Sequence, residues 1–179
     1  GRRGSVVEDC RLIGMIHLPA LPGSARAAMP MQAIVERAVR EAKMLVDAGF
    51  EAVIVENFGD SPFAADQVPR ETIAAMSIVT DHVVRAVHVP VGVNVLRNDG
   101  LSGLAVAAAA GAAFIRVNVL SGVYATDQGF ITGRADELLP RRTMVAPRVK
   151  IAADVHVKHA QPISQPITSA HCHRVGPRP

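Results

Sequence analysis

Apolar residues along the chain fall into two kinds of stretch. Five short stretches have the pattern of strands, with apolar side chains along the stretch and polar residues toward its end. Successive residues of a strand point to opposite faces. The stretches are residues 12–18, 52–57, 91–96, 114–120 and 150–159. Four longer stretches have apolar residues at helical spacing, namely residues 31–48, 71–87, 101–110 and 135–145, the last interrupted by Pro140. The pattern therefore predicts strands and helices in alternation, with a long loop at residues 121–133.

Alternating strands and helices favour an α/β fold with a parallel sheet and right-handed crossovers. An open doubly wound sheet of five strands fits the chain length, whereas a closed eight-fold barrel usually needs about 250 residues. Central strands of a doubly wound sheet are apolar on both faces, but each strand here has one face that becomes polar toward its carboxyl end. We therefore predict a (β/α)8 TIM-type barrel of which this chain holds about five βα units, a partial barrel.

The fifth predicted strand, residues 150–159, carries the most chemistry. Its polar face presents Asp154, His156 and Lys158, which are an acid, a base that titrates near neutral pH and a cation. Its other face is apolar and is expected to pack against helices: Ile151, Ala153, Val155 and Val157. Because the carboxyl ends of barrel strands form the usual active-site face, we expect the polar face to line a site.

The four earlier strands end with polar groups on the same kind of face: His17, Glu56, Asn94, Arg116 and Asn118. These groups could satisfy one another, for example through an ion pair of Arg116 with Glu56 or Asp154. However, burying several charges on one rim usually costs more than packing apolar groups. The arrangement therefore favours a ligand site at the mouth of the barrel.

The residue types suggest acid/base chemistry on a small anionic molecule, phosphorylated metabolites included. Histidines can act as general acid and base, Lys158 can act as an amine nucleophile or contact a phosphate, and arginines can bind an anion. The predicted catalytic residues are His17, Glu56, Asp154, His156 and Lys158. The predicted ligand-binding residues are Asn57, Asn94, Arg97, Asn98, Asp99, Arg116, Asn118 and Asp127.

Three of these ligand-binding residues have a simpler alternative role. Asn57, Asn98 and Asp99 lie in predicted loops and can cap helices, with Asp99 a good N-cap for the third helix. A divalent metal held by Glu56, Asp154 and a histidine is another alternative, although no HxH or HExxH spacing supports it. The sequence identifies no metal site and leaves the cofactor unknown.

Composition narrows the class of protein. The chain has 179 residues, a formal charge of +3, 3% aromatic residues and two cysteines. It has no basic stripe with interleaved aromatics, which disfavours nucleic acid as a partner. No apolar run reaches the ~20 residues that span a bilayer, so we expect a soluble, cytoplasmic protein. The sequence leaves the oligomeric state open, and a homo-oligomer is one of the possibilities.

Several long motifs resemble the BtpA/SgcQ family, in the right order along the chain. They are residues 13–23 (IGMIHLPALPG), 55–60 (VENFGD), 91–99 (VGVNVLRND), 114–120, 126–129 and 153–159. The resemblance covers roughly residues 12–160 and implies a TIM-type barrel related to phosphate-binding barrels. The family takes its name from a cyanobacterial factor for photosystem I biogenesis, so photosystem I proteins are partners that the resemblance implies.

The resemblance also suggests a division of the chain. Residues 1–11 form a basic leader and residues 12–160 the partial barrel, whereas residues 161–179 are predicted to be an irregular, Pro-rich tail. Family members continue through three more strand and helix units, so the tail is interpreted as a truncated or frame-shifted end. Three functions remain open: an enzyme on a small anionic metabolite, a biogenesis factor for photosystem I proteins, and an inactive fragment.

Overall fold

The computed structural model of the protein describes residues 12–64, 66–126, 129–154 and 161–162. All four helices begin and end within one residue of the predicted bounds. In chain order the elements are β1 (Ile13–His17), α1 (Met31–Asp47), β2 (Ala52–Glu56), α2 (Arg70–Ala86), β3 (Val91–Asn94), α3 (Gly100–Ala110), β4 (Phe114–Val117), β5 (Val123–Thr126), β6 (Gly129–Thr132), α4 (Ala135–Val145), β7 (Lys150–Ala153) and β8 (Gln161–Pro162). A 3-10 turn at Phe58–Asp60 follows β2.

The main sheet has five parallel strands in the order β1-β2-β3-β4-β7. The spatial order of these five strands is therefore their order along the chain, with one α-helix in each crossover and the strands β5 and β6 also inserted between β4 and β7. A doubly wound sheet would place the first strand inside the order, as in 2-1-3-4-5. The observed order excludes that alternative and is compatible with part of a TIM-type barrel.

The two faces of the sheet have different surroundings. The larger apolar cluster joins one face of the strands to the helices, through residues such as Ile34, Val79 and Leu104 against Val55 and Val93. The opposite face has a small cluster of Ala52, Ile54 and Phe114, with Met15, Ala113 and Ala152 beside it. Among the described residues the helices pack on one face of the sheet, which is compatible with a barrel, because the other face of a barrel sheet lines the lumen.

The prediction of a long loop at residues 121–133 was wrong. Strands β5 and β6 form an antiparallel hairpin there, and β8 pairs with the other edge of β5. Val119, Tyr124 and Ile131 form a separate small core beneath it. β-Branched and aromatic residues of this kind favour strands.

Two predicted segments lie outside the described residues, namely the leader at residues 1–11 and all of the tail beyond residue 162. The predicted division of the chain therefore stays a prediction. Within the described ranges, none of the helices has the length and apolar character needed to cross a membrane.

Candidate functional site

The carboxyl ends of the five parallel strands bring six polar side chains to one edge of the sheet. The strand register explains this, because His17 is paired with Glu56 and Glu56 with Asn94. Arg116 follows Phe114 at the same parity in β4, and Asp154 directly follows β7. We call these side chains the polar row: His17, Glu56, Asn94, Arg116, Asn118 and Asp154.

Glu56 lies at the centre of the polar row. Its side chain is buried, with the residue only 5% exposed, and Asn94 Nδ2 donates a hydrogen bond of 2.6 Å to its Oε2. His17 Nε2 lies 3.4 Å from Oε1, and an Arg116 guanidinium nitrogen lies 3.7 Å from Oε2. One carboxylate therefore contacts groups from three other strands, and it can fix the orientation of the His17 imidazole.

Arg116 and Asp154 form a bidentate ion pair. Arg116 Nε donates to Asp154 Oδ1 and its terminal nitrogen to Oδ2, both at 3.0 Å. The hydrogen bond to Asp154 raises the pKa of Arg116, and partial burial opposes the rise only in part. Arg116 is therefore a permanent cation at the strand ends, held in a fixed orientation by two bonds.

Asn118 is a second donor to Asp154, on the oxygen that also accepts from Arg116. Its Nδ2 donates to Asp154 Oδ2 at 3.1 Å, which fixes the orientation of the amide because a carboxylate only accepts hydrogen bonds. Its Oδ1 is buried and accepts no hydrogen bond from another described residue. An unpaired buried acceptor costs about 1–3 kcal/mol, a cost typical of functional positions rather than of stabilising ones.

His17 is the open end of the polar row. Its side chain is 49% exposed, and its ring is stacked on Phe58 with 4.5 Å between centroids and 18° between planes. Sequence reasoning missed Phe58, although it lies in the VENFGD motif directly after a predicted strand end. An aromatic residue in a loop at such a position was the available signal.

Three predicted ligand-binding residues hold loops together instead of joining the polar row. Asn57 accepts a hydrogen bond from the Leu96 amide at 2.7 Å, and Asn98 exchanges two hydrogen bonds of 2.8 Å with the Val119 backbone. Asp99 caps α3 through the Ser102 amide at 3.0 Å. Asp99 therefore has the predicted capping role, whereas Asn57 and Asn98 hold loops without capping a helix through their side chains. A ligand contact for the three residues stays a prediction.

The remaining predicted site residues are not brought to the polar row by a described contact. Arg97 lies on the loop after β3, and its Nε is buried and unpaired within the described part of the chain. His156, Lys158 and Asp127 lie outside the described residues. Among described residues, no group of three or more His, Cys, Asp or Glu side chains is placed to hold a metal ion.

Comparison with known proteins agrees with the motifs. The sequence profile of the BtpA family matches residues 8–175, so the chain belongs to the BtpA family. A relative from Synechocystis named "Photosystem I biogenesis protein BtpA" is 50% identical over 155 residues, which cover 87% of this chain and 54% of the relative. The family resemblance found in the sequence is thereby confirmed.

Two other relatives are named only as uncharacterized proteins. An uncharacterized protein of Methanocaldococcus jannaschii is 48% identical, with 83% of this chain and 57% of the relative covered. An uncharacterized mitochondrial protein of Caenorhabditis elegans is 34% identical, with 83% and 56% covered. No solved structure matches the chain. The chain thus spans a little more than half the length of the curated relatives it matches.

Proposed function

We propose that the chain is part of a TIM-type barrel that binds a small anionic metabolite, phosphorylated metabolites included, and transforms it by acid/base chemistry. The observation that carries this proposal is the convergence of the polar row on the buried carboxylate of Glu56. Acid, base and cation lie together at the carboxyl ends of neighbouring parallel strands, which is where barrels of this type act. A cytoplasmic location is part of the proposal.

Each member of the polar row has a separate task in this proposal. Arg116, held by Asp154, supplies the positive charge that attracts the anion. His17 is half-exposed and contacts Glu56, so it can exchange a proton with a ligand while Glu56 keeps its ring in place. By the parity argument made from the sequence, His156 and Lys158 would extend the polar face of the fifth predicted strand.

The test uses a pool of anionic metabolites incubated with the protein, with consumption followed by mass spectrometry. Once a substrate is found, His17→Gln is expected to lower kcat/KM by about 100-fold, the usual effect of losing a general acid or base. The free energy of unfolding should change by less than about 1 kcal/mol, because a half-exposed side chain loses little packing.

His82→Gln is the matched control, since His82 is exposed on α2 and its Nδ1 forms a local hydrogen bond with the Ile78 carbonyl. It should leave both quantities unchanged. If His17→Gln destabilises the protein as strongly as it slows turnover, the histidine is structural. If no anionic metabolite binds or is consumed, the proposed activity is wrong.

A role in biogenesis of photosystem I proteins is the second candidate, and the name of the Synechocystis relative favours it. A relative of similar identity, from Methanocaldococcus jannaschii, is named only as an uncharacterized protein, so its name does not add support for this role. Expression of wild-type chain and His17→Gln in a Synechocystis strain that lacks its own relative separates the two. Equal recovery of photosystem I by both forms supports a non-enzymatic factor, and recovery by the wild type alone supports catalysis.

A further inference from the structure

Phe58 is a half-exposed aromatic side chain at the edge of the polar row. It is 52% exposed, and one face of its ring lies on His17 at a centroid distance of 4.5 Å. Phe63 lies beyond it, with 6.3 Å between ring centroids and a tilt of 56°. His17, Phe58 and Phe63 therefore form a continuous series of rings that leads outward from Glu56.

The turn that presents Phe58 is held rigidly. The Gly59 amide donates to the Leu18 carbonyl at 2.9 Å, and the Leu21 amide donates to Asp60 Oδ1 at 2.7 Å. A Cβ on Gly59 would collide with the backbone at Leu18 to Ala20. The turn is thus clamped against the loop after β1 with no space for a larger residue.

Asn57 ties the same turn to the loop after β3. Its Nδ2 donates to Asp60 Oδ2 at 3.2 Å, and its Oδ1 accepts from the Leu96 amide. A loop residue that is half-exposed gains little from burial, yet the backbone that carries Phe58 is fixed on two sides. Rigid support for an exposed aromatic ring is the arrangement of a preorganised binding surface.

The exposed part of Phe58 borders a cleft of about 510 Å³ that is also lined by Phe63, Ser61 and Arg26. Arg26 forms no ion pair with another described residue. The cleft therefore combines aromatic surface with a positive charge beside the proposed catalytic histidine. Planar aromatic rings stack on such surfaces, and the nearby cation favours a ligand that is also anionic.

We infer that Phe58 and Phe63 form a stacking subsite for a planar ring of the ligand, so that the ligand joins an aromatic or heteroaromatic ring to an anionic group, as a nucleotide does. This inference rests on the proposed function, because the anionic group is assigned to the polar row. The ring binds next to His17, which places the bond between ring and anionic part near the acid/base groups. Asn118 and Arg116 contact the polar part only.

Binding is measured by isothermal titration calorimetry on the full 179-residue chain. The probes are two pairs, adenosine 5′-monophosphate against ribose 5-phosphate and phenyl phosphate against methyl phosphate. We expect the ring-bearing member of at least one pair to bind more tightly than its partner. Phe58→Leu should then weaken that ring-bearing ligand about tenfold, the effect of losing one stacking contact, and leave the ring-free partner unchanged.

Two further variants make the test specific. Phe58→Tyr keeps the ring and should retain wild-type affinity. Phe130→Leu is the matched control, because Phe130 is 72% exposed on β6 and does not line the cleft, and it should have no effect. The chain has no tryptophan, so Phe58→Trp provides a single fluorophore that adenosine 5′-monophosphate should quench and ribose 5-phosphate should not.

The outcomes separate this inference from the proposed function. Equal affinity of the wild type for both members of both pairs overturns the stacking subsite and leaves the anion site intact. Equal weakening of both members by Phe58→Leu also overturns it, since Phe58 would then act only by holding His17. If none of the four compounds binds, both the subsite and the proposed anion site are overturned.

Discussion

Glu56 is the residue on which the polar row depends, because its carboxyl group is buried and contacts three other members of the row. Asn94 contacts one of its carboxylate oxygens and His17 the other, and the guanidinium group of Arg116 places a positive charge 3.7 Å from this carboxylate. Arg116 also neutralises Asp154, so one guanidinium serves two carboxylates from different strands. Removing a cation of this kind leaves the carboxylates facing each other without compensation.

Arg116→Gln is therefore expected to lower the free energy of unfolding by about 1–3 kcal/mol, less than for a fully buried pair because Arg116 is partly exposed. Urea denaturation measures the change. Arg148→Gln, at an exposed position before β7, should have little effect. Adding Asp154→Asn to Arg116→Gln should restore part of the loss, and strictly additive effects would show that the two side chains are not coupled.

The packing of β3 against β4 depends on the absence of a side chain at Gly92. A Cβ at this position would collide with the ring of Phe114 on the neighbouring strand. Gly92→Ala should therefore cost about 1–3 kcal/mol through overpacking, as measured by thermal and urea unfolding. Gly103→Ala is the control: its Cβ would meet Val95 at an ordinary 3.7 Å, and in a helix it should stabilise by about 0.5–1 kcal/mol. A destabilising Gly103→Ala together with a neutral Gly92→Ala would contradict the packing argument.

At the level of elements, the helices followed from sequence because their signals are local. α1 has apolar residues at helical spacing and is followed by Gly49 with a positive φ of 93°. The hairpin of β5 and β6 did not follow, because the edge of β5 pairs with β8, which lies far along the chain at Gln161–Pro162. The core of the hairpin is also small, since it consists of Val119, Tyr124 and Ile131.

The candidate site was predictable in part for the same reason. Strand parity places Glu56, Asn94 and Arg116 on one face, and it needs only local sequence. Strand parity cannot show that the side chains of Asn57 and Asn98 form hydrogen bonds with loop backbone, because their partners, Leu96 and Val119, lie 39 and 21 residues away. Nor can it show that Phe58 is exposed.

The N-terminus of α3 depends on one side chain from the loop after β3. Asp99 accepts hydrogen bonds from the Ser102 amide, the Ser102 hydroxyl and the Val68 amide. Asp99→Ala should therefore lower the free energy of unfolding by about 1–3 kcal/mol, because it removes a helix cap and leaves a backbone amide without its acceptor. Asp136→Ala, at an exposed position in the first turn of α4, should cost less than about 0.5 kcal/mol in the same urea titration. Equal costs would remove the special role of Asp99.

At the level of the whole molecule, the described residues have cores of very different size. One cluster joins the helices to the sheet from β1 to β7, and includes Val55, Val93 and Ile115. The hairpin rests on the separate cluster of Val119, Tyr124 and Ile131. Because local stability follows buried apolar contacts, the hairpin should open without the sheet.

Hydrogen exchange followed by mass spectrometry tests this difference. Amides of β5 and β6 should exchange through local opening, whereas those of β2 and β3 should exchange only through global unfolding. Tyr124→Ala should speed exchange in the hairpin by at least about tenfold, equivalent to about 1.4 kcal/mol, and leave β2 and β3 unchanged. Val55→Ala, in the large cluster, should instead speed exchange in β2 and β3 and leave the local exchange of β5 and β6 unchanged. Faster exchange in β3 after Tyr124→Ala would show that the hairpin and the sheet open as one unit, because only a shared cooperative core transmits the loss of a side chain from one to the other.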